Sequence, residues 1–88
     1  MRHDDSLLEF PCAFDVKAMG KPENGFRALV VSLVGQHVDD LSESTVTESP
    51  SRGGKYVSVT VRFDATSRAQ LDAIYQTLTD EPRVLVAL

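Results

Sequence analysis

Ser51-Arg52-Gly53-Gly54-Lys55 brings together two glycines, a hydroxyl and two cations, the residue types of a loop that grips phosphate through backbone N–H groups. Such a loop needs a strand before it and a helix after it, so that the helix N-terminus faces the anion. Lys55 to Asp64 instead alternates, with Val57, Val59, Val61 and Phe63 on one face and Tyr56, Ser58, Thr60 and Arg62 on the other, the period of a strand. Gly53-Gly54 is therefore expected to supply the positive φ values of a hairpin turn, with Arg52 and Lys55 solvated beside it. His37 has no nucleophile or carboxylate placed beside it by local spacing, and reads as a partner of a helix C-terminus. Asp39-Asp40 with Glu43 has neither the oxygen spacing nor the glycine of a known cation loop, and reads as a solvated helix exit. Cys12, the single cysteine, has no basic neighbour to lower its pKa and forms no internal disulfide, and with His3 and His37 it falls short of a zinc set. No catalytic residue, metal or cofactor is expected.

Composition narrows the class. Eighty-eight residues suit one domain, 42% apolar and 25% charged content are those of a globular chain, and a net charge of -4 repels phosphate backbones and anionic lipid. Nucleic acid and membrane are not expected partners. The start, MRHDDSLLEFP, carries acids where a signal peptide carries bases, and no run reaches the roughly 18 apolar residues of a membrane span. These features, with the lone cysteine, predict a cytoplasmic protein.

The elements that would position these residues follow from periodicity. Phe14, Val16 and Ala18 alternate along a first strand ended by Gly20 and Pro22. Asn24-Gly25 opens a helix striped by Phe26, Leu29, Val30, Leu33, Val34 and Val38. β-branched content leaves a strand as the alternative there, and length and stripe favour the helix. Thr45-Val46-Thr47 predicts an edge strand closed by Pro50, and Lys55 to Asp64 predicts the strongest strand. Ser67-x-x-Gln70 has the form of a capping box before a helix carrying Leu71, Ile74, Tyr75 and Leu78. Arg83 to Leu88 predicts a last strand with Val84, Val86 and Leu88 on one face, and Ser6 to Phe10 a short helical turn resting Leu7 and Phe10 on the core.

A strand, helix, strand, strand, helix, strand order with two single-striped helices predicts an α+β, ferredoxin-like βαββαβ two-layer sandwich. Its four-stranded antiparallel sheet has order 4-1-3-2, since right-handed crossovers put the first and third strands in the middle. The expected core is Phe14, Val16, Val57, Val59, Val61, Phe63, Val84 and Val86 with Leu29, Leu33, Leu71, Ile74 and Leu78. The whole chain, 1–88, reads as one domain with residues 1–11 as an extension.

Leu8-Glu9-Phe10-Pro11, Met19-Gly20, Gly54-Lys55-Tyr56 and the helix from Ser67 to Leu78 resemble the YbeD-like family of small bacterial proteins of uncharacterised function. The match runs over nearly the whole chain and weakens at Lys21 to Arg27 and at Val84-Leu85-Val86-Ala87-Leu88. The resemblance implies a fold similar to ACT-like regulatory domains, and brings no catalytic residue with it. In ACT-like domains the loop from the first strand into the first helix closes over a small ligand. The matching residues here are Gly20, Lys21, Asn24 and Gly25, with helix N–H groups and Lys21 suited to a carboxylate. Ligand-binding ACT domains commonly read Asp-x-Pro-Gly-Leu there, and this chain has Glu23-Asn24-Gly25-Phe26.

The open sheet face offers a second site. Lys17, Tyr56, Ser58, Thr60, Arg62, Thr45 and Thr47 lie on it, with Leu85 at one edge. RNA binders of this superfold stack bases on two or three aromatics, and only Tyr56 is present. A protein-contact face fits better, because Tyr and Arg are enriched at interfaces. The functional expectation is a regulatory or adaptor module that binds a small metabolite, a second copy or a protein partner. The alternative is an enzyme of acylphosphatase-like type, which needs an Arg-bearing anion loop after the first strand, where this chain has no Arg before Arg27.

Overall fold

A computed structural model describes residues 8–39, 41–42 and 45–88. Four strands and two helices follow in the order β1 (Cys12–Gly20), α1 (Phe26–Gly35), β2 (Val46–Pro50), β3 (Val57–Ala65), α2 (Arg68–Asp80) and β4 (Val86–Ala87). The sheet order is β2-β3-β1-β4 and every pairing is antiparallel. This is the expected 4-1-3-2 arrangement of a ferredoxin-like sandwich.

The alternation in β1 and β3 builds the sheet. They pair over nine residues, from Cys12 opposite Ala65 to Gly20 opposite Val57, so equal faces coincide. Val16, Ala18, Val57, Val59, Val61, Phe63 and Ala65 are buried on the side that meets the helices. From α1, Phe26, Val30 and Val34 enter this core at steps of four, and from α2 come Leu71, Ile74 and Leu78. At about 1.5–3 kcal/mol for each large apolar side chain removed from water, this one cluster accounts for the fold. No described helix is long and apolar enough to cross a membrane.

Local chemistry sets the turns. Gly53 and Gly54 have φ of 81° and 71°, and the chain around them closes when Ser51 N–H donates to the Tyr56 carbonyl at 2.8 Å and Tyr56 N–H to Ser51 Oγ at 2.9 Å. The glycine pair is a hairpin turn. At α2, Ser67 Oγ accepts from Gln70 N–H at 3.1 Å, while Gln70 Oε1 accepts from Thr66 N–H at 2.8 Å. The capping box thus forms with its return bond one residue earlier than the usual reciprocal pair.

Several core assignments change. Phe14 on β1 is partly buried, and so are Leu29 and Leu33, because the buried stripe of α1 runs through Phe26, Val30 and Val34. α1 ends at Gly35, so Val38 packs on the core from beyond the helix. Val86 is 43% exposed and does not belong to the core. The terminal strand is two residues long, because Pro82 and Arg83 are spent on a turn that Val84 N–H closes on the Glu81 carbonyl at 3.0 Å. Residues 8–10 are not helical, though Leu8 and Phe10 pack on the core. Ser6 and Leu7 lie outside the described residues, as do His3, Asp40 and Glu43.

Candidate protein-contact face

The open face is ordered in rows by the ladder registers. One row runs Ser49, Ser58, Met19, Val86 and the next Thr47, Thr60, Lys17, with Leu88 beyond Lys17. Leu88 takes that place because its N–H donates to the Lys17 carbonyl at 2.8 Å and its carbonyl accepts from Lys17 N–H at 2.9 Å. The third row pairs Arg62 with Asp15.

Val86 and Leu88 reach this face through a local irregularity. Leu85 N–H donates to the Met19 carbonyl at 2.8 Å, while Val86 is the register partner of the same Met19. Two residues oppose one, the arrangement of a β-bulge, and the side chains beyond it change faces. Val84 stays buried, whereas Val86 and Leu88 turn out beside Met19 and Lys17. Uninterrupted alternation would have kept them with Val84. The signal that could have exposed the change is the Glu81-Pro82 turn, which uses up the first residues of the expected strand.

The charged part of the face is modest in energy. Arg62 Nη1 lies 3.3 Å from one Asp15 oxygen and 3.4 Å from the other, with both side chains more than half exposed. Such a pair contributes up to about 1 kcal/mol in water. Asp15, Thr45, Thr47, Thr60 and Arg62 line a groove of about 340 Å³ that runs over β3, from Asp15 on β1 to Thr47 on β2. Asp15 joins a face for which the sequence pointed to Lys17, Tyr56, Ser58, Thr60 and Arg62 together with Thr45 and Thr47. Lys17 and Tyr56 are exposed, Ser58 and Thr60 half-buried. Tyr56 stands at the hairpin end, one residue before β3 and in the same parity as Ser58.

The loop into α1 is built differently. Gly20 is buried, and a Cβ there would lie 2.5 Å from the Phe26 ring and 2.6 Å from the Arg83 carbonyl oxygen. Its missing side chain therefore makes room for the first residue of α1. Lys21, Asn24 and Gly25 are exposed, and Gly25 caps α1 at φ 83° without a side-chain hydrogen bond. Arg27, the first arginine after β1, points its Nη2 to the Val46 carbonyl at 3.3 Å.

The remaining polar residues tie the two helices together. His37 Nε2 and Thr77 Oγ1 are 2.7 Å apart, and Gln70 Nε2 donates to the His37 carbonyl at 2.8 Å. Both contacts join segments far apart in the chain, so local spacing gave no sign of them. Burial raises the Tyr75 pKa, and hydrogen bonds from the Arg83 backbone N–H and side chain lower that of Glu81. Neither residue lies on the open face. Cys12 is a half-buried free thiol, and no group of three or more metal-ligating side chains forms among the described residues.

Comparison with known proteins follows the same outline. The family described as "Protein of unknown function (DUF493)" matches residues 5–88. The chain belongs to this family. DUF493 relatives similar to it include a UPF0250 protein of Nitrosomonas europaea, 44% identical over 97% of this chain and 98% of the relative. A UPF0250 protein of Paraburkholderia phytofirmans is 46% identical over 97% of this chain and 96% of its own length. One of Neisseria gonorrhoeae is 40% identical, covering 94% and 91%. The YbeD-like assignment holds on these grounds. The solution structure of protein HP0495 from H. pylori superposes with a TM-score of 0.68 over 92% of this chain and 85% of that one, at 14% identity. At that identity the likeness speaks for the fold alone.

Proposed function

We propose that this DUF493 protein is a non-enzymatic regulatory or adaptor module that takes a protein partner across its open sheet face along β4. One observation carries the reading. The exposed large apolar side chains among the described residues are Tyr56, Leu85, Val86 and Leu88, and they rim that face or its β4 edge. Tyr56 and Arg62 are residue types enriched where interfaces hold, and exposed apolar side chains along an edge strand offer a partner surface to bury. The polar middle of the face, with its Asp15–Arg62 pair, suits a contact that forms and dissociates in water. The lone free thiol suits the bacterial cytoplasm as the place of action.

The test places a photo-crosslinking residue at Tyr56, at Val86 and, as reference, at exposed Thr79 on α2, in cells of the source type. Adducts with one defined protein from positions 56 and 86, and none from 79, are the expected result. Equal adduct yields from all three positions, or none from 56 and 86, overturn the reading.

A further inference from the structure

We propose that Asn24 is a site of spontaneous deamidation, which adds a carboxylate at the entrance of α1. Asn24 is the sole asparagine in the chain and Gly25 follows it directly. Glycine leaves its backbone nitrogen unscreened, since no Cβ stands beside it. Asn24 and Gly25 are both exposed. Among the described residues, neither the Asn24 side chain nor the Gly25 N–H takes part in a hydrogen bond. A Cβ built on Gly25 would meet nothing within 4 Å, so the space a five-membered ring needs is open.

The step balances with water as its other reactant. The Gly25 nitrogen gives its proton to solvent base and bonds to Asn24 Cγ, and Nδ2 leaves as ammonia. Water then adds to one of the two imide carbonyls and breaks its C–N bond. Opening at one carbonyl yields aspartate at position 24, and at the other an isoaspartyl link that lengthens the backbone by one methylene.

Either product changes the start of α1. Its first turn carries no acidic residue, and its N-cap Gly25 provides no side-chain acceptor. A carboxylate at position 24 puts negative charge next to the positive end of the helix dipole. The isoaspartyl form lengthens the turn that Phe26 N–H closes on the Glu23 carbonyl at 3.2 Å.

The test incubates the full folded chain at physiological temperature and mildly alkaline pH, beside the same chain in urea and an Asn24→Gln variant. Gln would need a six-membered ring, which closes far more slowly. The expected result is a mass gain of about 1 Da in the folded wild type, with one added negative charge on isoelectric focusing. Hydroxylamine present during the incubation intercepts the imide and splits the chain after residue 24, and Asn24→Gln shows neither change. A folded wild type that keeps its mass, whether or not the unfolded chain gains it, overturns the proposal. So does an equal gain in Asn24→Gln, which would move the reaction to the glutamines.

Discussion

β2 and β4 close the same sheet from opposite sides, and they are built on opposite plans. β2 pairs with β3 over five residues, buries Val46, and shows solvent Thr47, Glu48, Ser49 and Pro50. A charge and a proline on an edge discourage pairing with a further strand. β4 pairs with β1 over two residues and leaves Leu85, Val86 and Leu88 exposed. Its shortness limits strand addition, but its side chains do not. The difference teaches that one edge is held by side-chain burial within the fold, while the other is positioned by a turn and spends its apolar residues on the surface.

The largest expected effect strikes the β4 side. Gly20→Ala sets a methyl group against the Phe26 ring and the Arg83 carbonyl, and the backbone oxygen cannot step aside without moving the turn into β4. A loss of about 1–3 kcal/mol is expected in urea unfolding. Amide exchange at Leu85 and Leu88 should accelerate while the β2–β3 amides keep their protection. Faster exchange on the β2 side alone would mean that Gly20 does not hold β4.

A pair of valine truncations sharpens the contrast. Val46→Ala removes buried methyl groups from β2 and should cost about 1–2 kcal/mol. Val86→Ala on β4 should stay within about 0.5 kcal/mol of wild type. Equal losses would show that Val86 is packed inside the fold and would remove the main support for the contact face.

The smallest effect is a pH dependence at the turn before β4. The Arg83 backbone N–H and Nε donate to Glu81 Oε2 at 3.2 and 3.1 Å and hold its pKa below the ordinary carboxylate value. Such a group stabilises the fold above its unfolded pKa, and the benefit is lost as pH falls through the lowered folded value. Urea midpoints should therefore favour wild type over Glu81→Gln at neutral pH and converge as pH falls through the lowered folded value. A gap that persists in acid would assign the difference to packing.

Much of the fold was legible in the residues because β1, β3 and α2 carry strong local patterns. Val57 to Phe63 alternates without a break, and Ser67 with Gln70 marks a helix start whatever lies nearby. The hairpin at Gly53-Gly54 was legible for the same reason, since positive φ favours glycine. The open-face residues from Lys17 to Arg62 were found by parity alone. Thr45 and Thr47 were found the same way, whereas Asp15 was absent from that reading, because its place comes from the register of β1 against β3. The His37–Thr77 and Gln70–His37 bonds needed the packed helices.

The sequence by itself determined the kinds and order of the elements and the glycine turn, since each rests on backbone preference and hydrophobic period acting over a few neighbouring residues, and the sheet order followed from that element order through the handedness of the crossovers. Only the tertiary structure decided which way Val86 and Leu88 face and what occupies the space at Gly20. A period of two in RVLVAL groups Val84, Val86 and Leu88 on one side of a strand. The second opposing residue at Met19 breaks that grouping, and such a bulge exists only once β1 is there to pair with.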